Sequence, residues 1–209
     1  MEYAINHIEL CGTMETPPVF SHENHGRRFY RFELSVRRLS GAADRLPVLV
    51  SRELLEQTDV SWGERIYVSG QIRSYNQRTP LQRRLVISVY AEQVELSDAE
   101  PDNRVTLAGA VCREPVFRRT PLGREICDIM LAVERPYHRT DYLPCIFWGR
   151  TARDVAELPV GAAIALEGRL QSREYTKLLD DGTALHRTAY EISAMSAQPV
   201  GEMPDEPVC

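Results

Sequence analysis

Most of the chain is patterned for β-strands. Apolar and polar residues alternate one by one over residues 29–37, the period of a strand with one buried face. The inward positions of this strand are Tyr30, Phe32, Leu34 and Val36. Further strands are predicted over residues 5–12, 46–50, 65–75 and 84–96, and a helix over 52–58. The predicted order is therefore three strands, one helix and two strands.

The same order recurs 97 residues further along the chain. At this shift Asn6 aligns with Asn103, Gly12 with Gly109, and Pro18-Val19-Phe20 with residues 115–117. The shift also aligns Asp44 with Asp141 and, after one inserted residue, Ser74 with Ser172. The second set of elements comprises strands 103–112, 142–148, 162–173 and 186–195, a strand with Ile129, Leu131 and Val133 inside, and a helix over 151–158. The chain is therefore an internal duplication.

The repeat predicts both the domains and their fold. Five strands with one helix after the third is the order of the five-stranded Greek-key barrel called the OB-fold. We predict an all-β protein of two tandem OB-fold barrels, each with one short helix. The expected units are a first barrel (1–97), a polar linker (98–102), a second barrel (103–197) and an acidic tail (198–209).

The net charge of −5 is distributed unevenly along the chain. Residues 1–102 carry −3, residues 103–197 carry +1, and residues 198–209 carry −3. Between residues 66 and 91 there are four arginines and no acid. A phosphate-binding groove must be basic, but the whole protein need not be, so the acidic total leaves nucleic-acid binding open.

The sequence offers little for catalysis or metal binding. The five cysteines form no CxxC pair, and His22 and His25 lack partners at ligand spacing. No Walker loop, HExxH, GxSxG or GxGxxG motif is present. We therefore expect a protein without enzymatic activity, metal or cofactor. Neither a signal peptide nor a membrane-spanning apolar run is visible, so we expect a cytoplasmic protein.

Two runs in the second half carry a family resemblance. Residues 145–152 (CIFWGRTA) and 166–173 (LEGRLQSR) resemble the DNA-binding domain of bacterial single-stranded-DNA-binding proteins. The first half resembles the same family through residues 67–75 and 89–94, but it is more divergent. Most members carry one such domain and assemble as tetramers, whereas a minority carry two and pair as dimers. The resemblance therefore implies a homodimer presenting four OB domains.

The resemblance also implies which residues contact nucleic acid. The family's four base-stacking positions fall on Tyr137, Tyr142, Trp148 and Tyr175. Aromatic rings suit this role because every base has a π-face, so stacking needs no particular sequence. The alternatives are that Trp148 belongs to the core and that Tyr137 and Tyr175 are surface residues without a role. The cationic candidates in this half are Arg135, Arg139, Arg150, Arg173 and Lys177.

The first half departs from the family at these positions. Ser40, Arg45 and Ser51 stand where the second half has Tyr137, Tyr142 and Trp148. The remaining candidates of this half are Arg31, Arg37, Arg73, Tyr75, Arg78, Arg83 and Arg84. The first barrel either binds DNA mainly through phosphates or serves mainly in assembly, and we expect the second barrel to contribute most of the affinity for bases.

The implied function is sequence-independent binding and protection of single-stranded DNA in replication, recombination or repair. Single-stranded RNA satisfies the same stacking and phosphate chemistry, so it remains a second ligand class. The alternative is a protein-interaction OB module, such as a primosome-like scaffold, because a fold does not dictate its function. Residues 201–209 are acidic but lack the family's tip sequence, so partner recruitment by that route is not expected.

Overall fold

A computed structural model describes residues 5–79, 82–178 and 182–200. At residues 78, 79, 82, 83, 177 and 178 only the backbone is described. The predicted side-chain contacts of Arg78, Arg83 and Lys177 lie outside this described part, as do the last nine residues of the acidic tail.

Within the described residues, each half contains six strands and one helix. The first half comprises β1 (Asn6–Met14), β2 (Val19–Asn24), β3 (Arg27–Arg37), β4 (Ala43–Ser51), α1 (Arg52–Gln57), β5 (Arg65–Thr79) and β6 (Gln82–Leu96). The second half comprises β7 (Asp102–Val111), β8 (Val116–Arg119), β9 (Glu125–Arg135), β10 (Arg139–Trp148), α2 (Gly149–Ala156), β11 (Ala163–Leu178) and β12 (Ala184–Pro199). The described residues contain two helices, and neither is long and apolar enough to cross a membrane.

The predicted barrels are confirmed, with one extra short strand in each. In the first half, β1 pairs with β5 and then with β3, β3 pairs with β4, and β4 closes onto β6 in parallel. The second half repeats these pairings. The extra strands, β2 and β8, were not predicted, because every residue in them is exposed and no alternating pattern marks them.

Glycine is required where β1 passes from β5 to β3. A Cβ atom on Gly12 would lie 2.5 Å from the carbonyl oxygen of Ser35. At the equivalent crossing in the second barrel, a Cβ on Gly109 would lie 2.4 Å from the carbonyl oxygen of Ala132. These distances are too short for any side chain, so both copies need glycine here for the barrel to close.

The two barrels are joined into one sheet by antiparallel pairing of β1 with β7. Asn6 pairs with Leu107 and Leu10 pairs with Asn103, around a centre at Ile8 and Val105. Because Asn6 repeats as Asn103 and Leu10 as Leu107, exchanging the two halves leaves this register unchanged. The barrels are therefore related by an approximate two-fold axis, as the subunits of a symmetric dimer are.

The repeated asparagines connect β1 to β5 and β7 to β11 beside this junction. The Asn6 side chain donates to the Ile72 carbonyl and accepts from the Ile72 amide, both at 2.8 Å. Asn103 makes the same two bonds with Leu170, at 2.7 and 2.9 Å. The asparagine side chain thus satisfies a backbone donor and acceptor on β5 or β11 that would otherwise lack partners.

The long hairpins are β5–β6 in the first barrel and β11–β12 in the second. Two reciprocal contacts, which we call the Ser–Asp clamps, connect each of these hairpins to the other barrel. In one clamp the Ser74 amide donates to Asp141 Oδ1 at 2.6 Å, and the Tyr142 amide donates to Ser74 Oγ at 2.7 Å. In the other, the Ser172 amide donates to Asp44 Oδ1 at 2.7 Å, and the Arg45 amide donates to Ser172 Oγ at 3.1 Å. The repeated serines and aspartates therefore meet each other across the two barrels.

Arginines neutralise the buried carboxylates of the clamps. Asp141, fully buried, has Arg73 Nη1 at 3.2 Å and Arg135 Nε at 3.1 Å. The Arg135 contact is ionic without a well-directed hydrogen bond, and burial lowers the pKa of this arginine. In the other clamp Arg38 donates to Asp44, and this hydrogen bond raises the pKa of Arg38. Two candidate phosphate ligands, Arg73 and Arg135, thus face a carboxylate between the barrels.

Replacing Asp141 by asparagine is expected to destabilise the fold strongly. The change keeps the shape of the side chain but leaves two arginines, each 22% exposed, without their counter-charge. Breaking a buried ion pair in this way costs about 3 kcal/mol or more. Asp44→Asn is the matched control and should cost less, because it strands only Arg38, which is 30% exposed. Urea unfolding of both variants checks this, and equal losses would contradict it.

Candidate nucleic-acid interface

The outward face of β10 carries two exposed aromatic side chains. Along β10, Leu143, Cys145 and Phe147 are buried in the core, whereas Tyr142 and Trp148 lie on the opposite face of the strand. Tyr142 is 42% exposed and Trp148 is 41% exposed. Trp148 follows Tyr142 by six positions along the strand, which is about 20 Å. One face of the second barrel thus presents two rings several nucleotides apart.

Trp148 lies where β10 ends and α2 begins. It occupies the N-cap position of α2 without a side-chain capping bond, and its indole Nε1 donates to Ser193 Oγ at 3.3 Å. This bond ties one edge of the ring to β12 and leaves much of the ring open to solvent. Trp148 is therefore not a core residue, which removes that alternative.

Tyr137 and Tyr175 lie on two hairpins of the second barrel. Tyr137 is at the tip of the β9–β10 turn, 92% exposed, with a positive φ of 64°. Tyr175 lies on β11 and is 38% exposed, with the Arg173 guanidinium 5.7 Å from the centre of its ring. This cation–π contact places a positive charge beside an exposed ring. Such a pair suits a base together with its phosphate.

The cationic candidates fall into two groups. Arg31, Arg37, Arg84, Arg139, Arg150 and Arg173 are exposed. Arg84 reaches the second barrel, where its Nη2 lies 3.5 Å from the Thr188 carbonyl oxygen. Tyr75, 57% exposed, lies on the same hairpin. Arg73 and Arg135 form the second group, because they face Asp141 in a clamp.

In the first barrel, two of the three positions aligned with the aromatic residues have structural contacts. Ser51 caps α1, with its Oγ accepting from the Leu54 amide at 3.2 Å. Arg45 forms a two-pronged ion pair with Glu15 at 3.0 and 3.3 Å. The third, Ser40, is exposed.

The first barrel instead has an aromatic cluster that sequence reasoning missed. His22 stacks on Phe29 with ring centres 5.1 Å apart and an interplanar angle of 17°. Phe29 also lies 6.1 Å from Tyr90. The three residues come from β2, β3 and β6, so no short motif contains them. The available signal was Phe29 itself, a large apolar residue at an outward position of the alternating strand.

The fold and these surfaces define a class, the tandem OB-fold proteins. Over 98% of this chain, the wild-type single-stranded DNA binding protein from Thermus aquaticus has the same fold, with a TM-score of 0.79 at 21% identity and 97% of that chain covered. A deletion mutant of that protein superposes with a TM-score of 0.76 at 23% identity, over 99% of this chain and 100% of the mutant.

Sequence comparison matches the second half of the chain to one protein family. The model of the single-strand binding protein family matches residues 102–200. Single-stranded DNA-binding protein 3 of Listeria innocua is 35% identical over 103 residues, covering 46% of this chain and 62% of the relative. Single-stranded DNA-binding protein A of Bacillus subtilis is 36% identical over 80 residues, covering 35% and 46%. The chain thus spans about half to three-fifths of these relatives. Residues 102–200 thus match the single-strand binding protein family, and the fold of the whole chain is that of the Thermus aquaticus protein.

Proposed function

We propose that the chain binds single-stranded DNA without sequence preference and without catalysis, serving replication, recombination or repair. The observation that carries this proposal is the pair of exposed rings, Tyr142 and Trp148, on one outward strand face. Tyr137 and Tyr175 extend the exposed aromatic set to the neighbouring hairpins. The family match and the names of the relatives support the same ligand.

Base stacking supplies the sequence-independent part of the affinity. Each base that stacks on an aromatic side chain contributes about 1–3 kcal/mol, whatever its identity. Because the stretch of β10 between Tyr142 and Trp148 is about 20 Å long, a single strand can lie along it with bases stacked near both ends. Stacking at separated rings favours an extended single strand over a duplex, whose bases are already paired and stacked.

Arginine contacts supply the phosphate part. We assign Arg139, Arg150 and Arg173 in the second barrel, and Arg31, Arg37 and Arg84 in the first, to phosphate binding. The proposed nucleic-acid-binding residues also include Tyr75, Arg78, Arg83 and Lys177, which were predicted from the sequence. Arg73 and Arg135 are expected to contribute less, since both already face Asp141.

Salt-resolved titration tests the function directly. Binding to a thymidine homopolymer should weaken with salt, with log affinity falling against log salt at about −0.7 per phosphate neutralised. An RNA homopolymer and a duplex of equal length run alongside distinguish the ligand classes. A flat salt response or a preference for duplex would contradict the proposal, and absence of any binding would favour the scaffold alternative.

Trp148→Ala should weaken binding to the homopolymer by about one to two decades, because it removes one stacked base. Ser51→Ala is the matched control at the equivalent position: it should lower stability by about 1 kcal/mol through loss of the α1 cap while leaving affinity unchanged. In a Trp62→Phe background, quenching of the remaining tryptophan reports stacking on Trp148. Unchanged affinity in Trp148→Ala would remove this ring from the interface.

We further propose that the chain is a homodimer presenting four barrels. The support is the resemblance of both halves to a family whose two-barrel members pair to reach four domains. Light scattering at micromolar concentration should give a mass about twice that of the 23.8 kDa chain. A monomeric mass would contradict the proposal without affecting the assignment of the DNA-binding face.

A further inference from the structure

An aromatic row crosses the outward face of the first barrel. His22 on β2 is directly opposite Phe29 on β3, and their rings stack. Tyr90 on β6 continues the row beyond β4, where Leu49 is its partner. Phe29 is 7% exposed beneath its neighbours, Tyr90 is half-buried, and His22 is exposed. The row therefore ends in a flat ring that is open to solvent.

Strand register shows how this row relates to Trp148. In the second barrel, Trp148 on β10 is opposite Ile126 on β9. At the equivalent pair in the first barrel, Ser51 on β4 is opposite Phe29 on β3. Opposite residues of an antiparallel pair share a face. Each barrel therefore has one large aromatic ring at this corner, but the ring is attached to a different strand.

Positive charge accompanies the row. The Arg27 guanidinium lies 5.9 Å from the centre of the Phe29 ring, and that of Arg73 lies 5.8 Å from the centre of Tyr90. Arg31, two residues beyond Phe29 on the same face, is exposed. The neighbouring acids include Glu23, which pairs with Arg28 at 3.2 Å, and Glu53, which lies 3.8 Å from Arg27.

A further acid, Glu33, shares the outward face of β3 with Phe29 and Arg31. The face therefore has mixed charge, with three arginines directly beside the rings or on the same strand face. Rings beside guanidinium groups match the chemistry of single-stranded nucleic acid, which presents flat bases on an anionic backbone.

We propose that His22, Phe29 and Tyr90 form a separate base-stacking site in the first barrel, with Arg27 and Arg31 as its phosphate ligands. A base would extend the existing stack on the open side of His22, while Phe29 supports the imidazole from beneath. This site rests on the proposed binding of single-stranded DNA. It adds base stacking to a barrel for which the aligned residues led us to expect mainly phosphate binding or a role in assembly.

The test uses the full chain with two substitutions, His22→Ala and Tyr90→Leu, titrated with a thymidine homopolymer long enough to contact both barrels. The double variant should bind about tenfold more weakly, since one stacked base is lost. A His22→Phe, Tyr90→Phe variant keeps both rings and should retain the parent affinity. Trp62→Ala is the control, because it removes an exposed ring elsewhere in the first barrel and should change nothing.

The outcomes separate this site from the general function. If the parent chain fails to bind, the proposed function fails. If the parent binds and the Ala/Leu variant binds equally well, the stacking site is overturned while the function stands. Thermal melting of both double variants accompanies the titration. If the Ala/Leu variant has a lower melting temperature, the single variant His22→Ala decides, because the exposed His22 side chain contributes little to the core. A weaker affinity of that variant supports the site, and an unchanged affinity overturns it.

Discussion

The antiparallel pairing of β1 with β7 determines the arrangement of everything else in this protein. It covers the exposed edges of two barrel strands with each other, so neither edge has unpaired backbone groups along Asn6–Cys11. Its symmetric register places each long hairpin against the opposite barrel, where the Ser–Asp clamps form. Two carboxylates are thereby buried between the barrels, and arginines are held beside them.

The residues retained in both copies are those on which this arrangement depends. Gly12 and Gly109 allow strand crossings that no side chain fits, and Asn6 and Asn103 satisfy backbone groups on the neighbouring strand. The paired aspartates and serines hold the barrels together. Outward-facing positions have no such constraint, because a side chain there contacts mainly solvent. Duplication followed by divergence therefore leaves the scaffold alike and the two surfaces different.

The corner shared by Trp148 and Ser51 illustrates this divergence. In the second barrel the large ring follows β10, and α2 begins without a side-chain cap. In the first barrel serine caps α1, and the large ring at the same corner belongs to Phe29 on the neighbouring strand. Alignment of the two halves compares Trp148 only with Ser51, so it indicates that the first barrel lacks an aromatic residue at this position. The equivalent ring, Phe29, lies directly opposite Ser51 on the adjacent strand, which a comparison of aligned positions does not show.

Much of the fold was predictable from the sequence alone. Period-two patterning located the barrel strands, and the 97-residue repeat indicated two barrels and paired Asp44 with Asp141 and Ser74 with Ser172. The family resemblance nominated Tyr137, Tyr142, Trp148 and Tyr175, and these site assignments stay predictions. Only the tertiary structure decided that the repeated aspartates and serines contact each other, that Arg73 and Arg135 face Asp141, and that His22, Phe29 and Tyr90 adjoin. The physical reason is that most of these contacts, such as Ser74 with Asp141 and Phe29 with Tyr90, join strands far apart in the chain, whereas periodicity and local motifs report only on near neighbours.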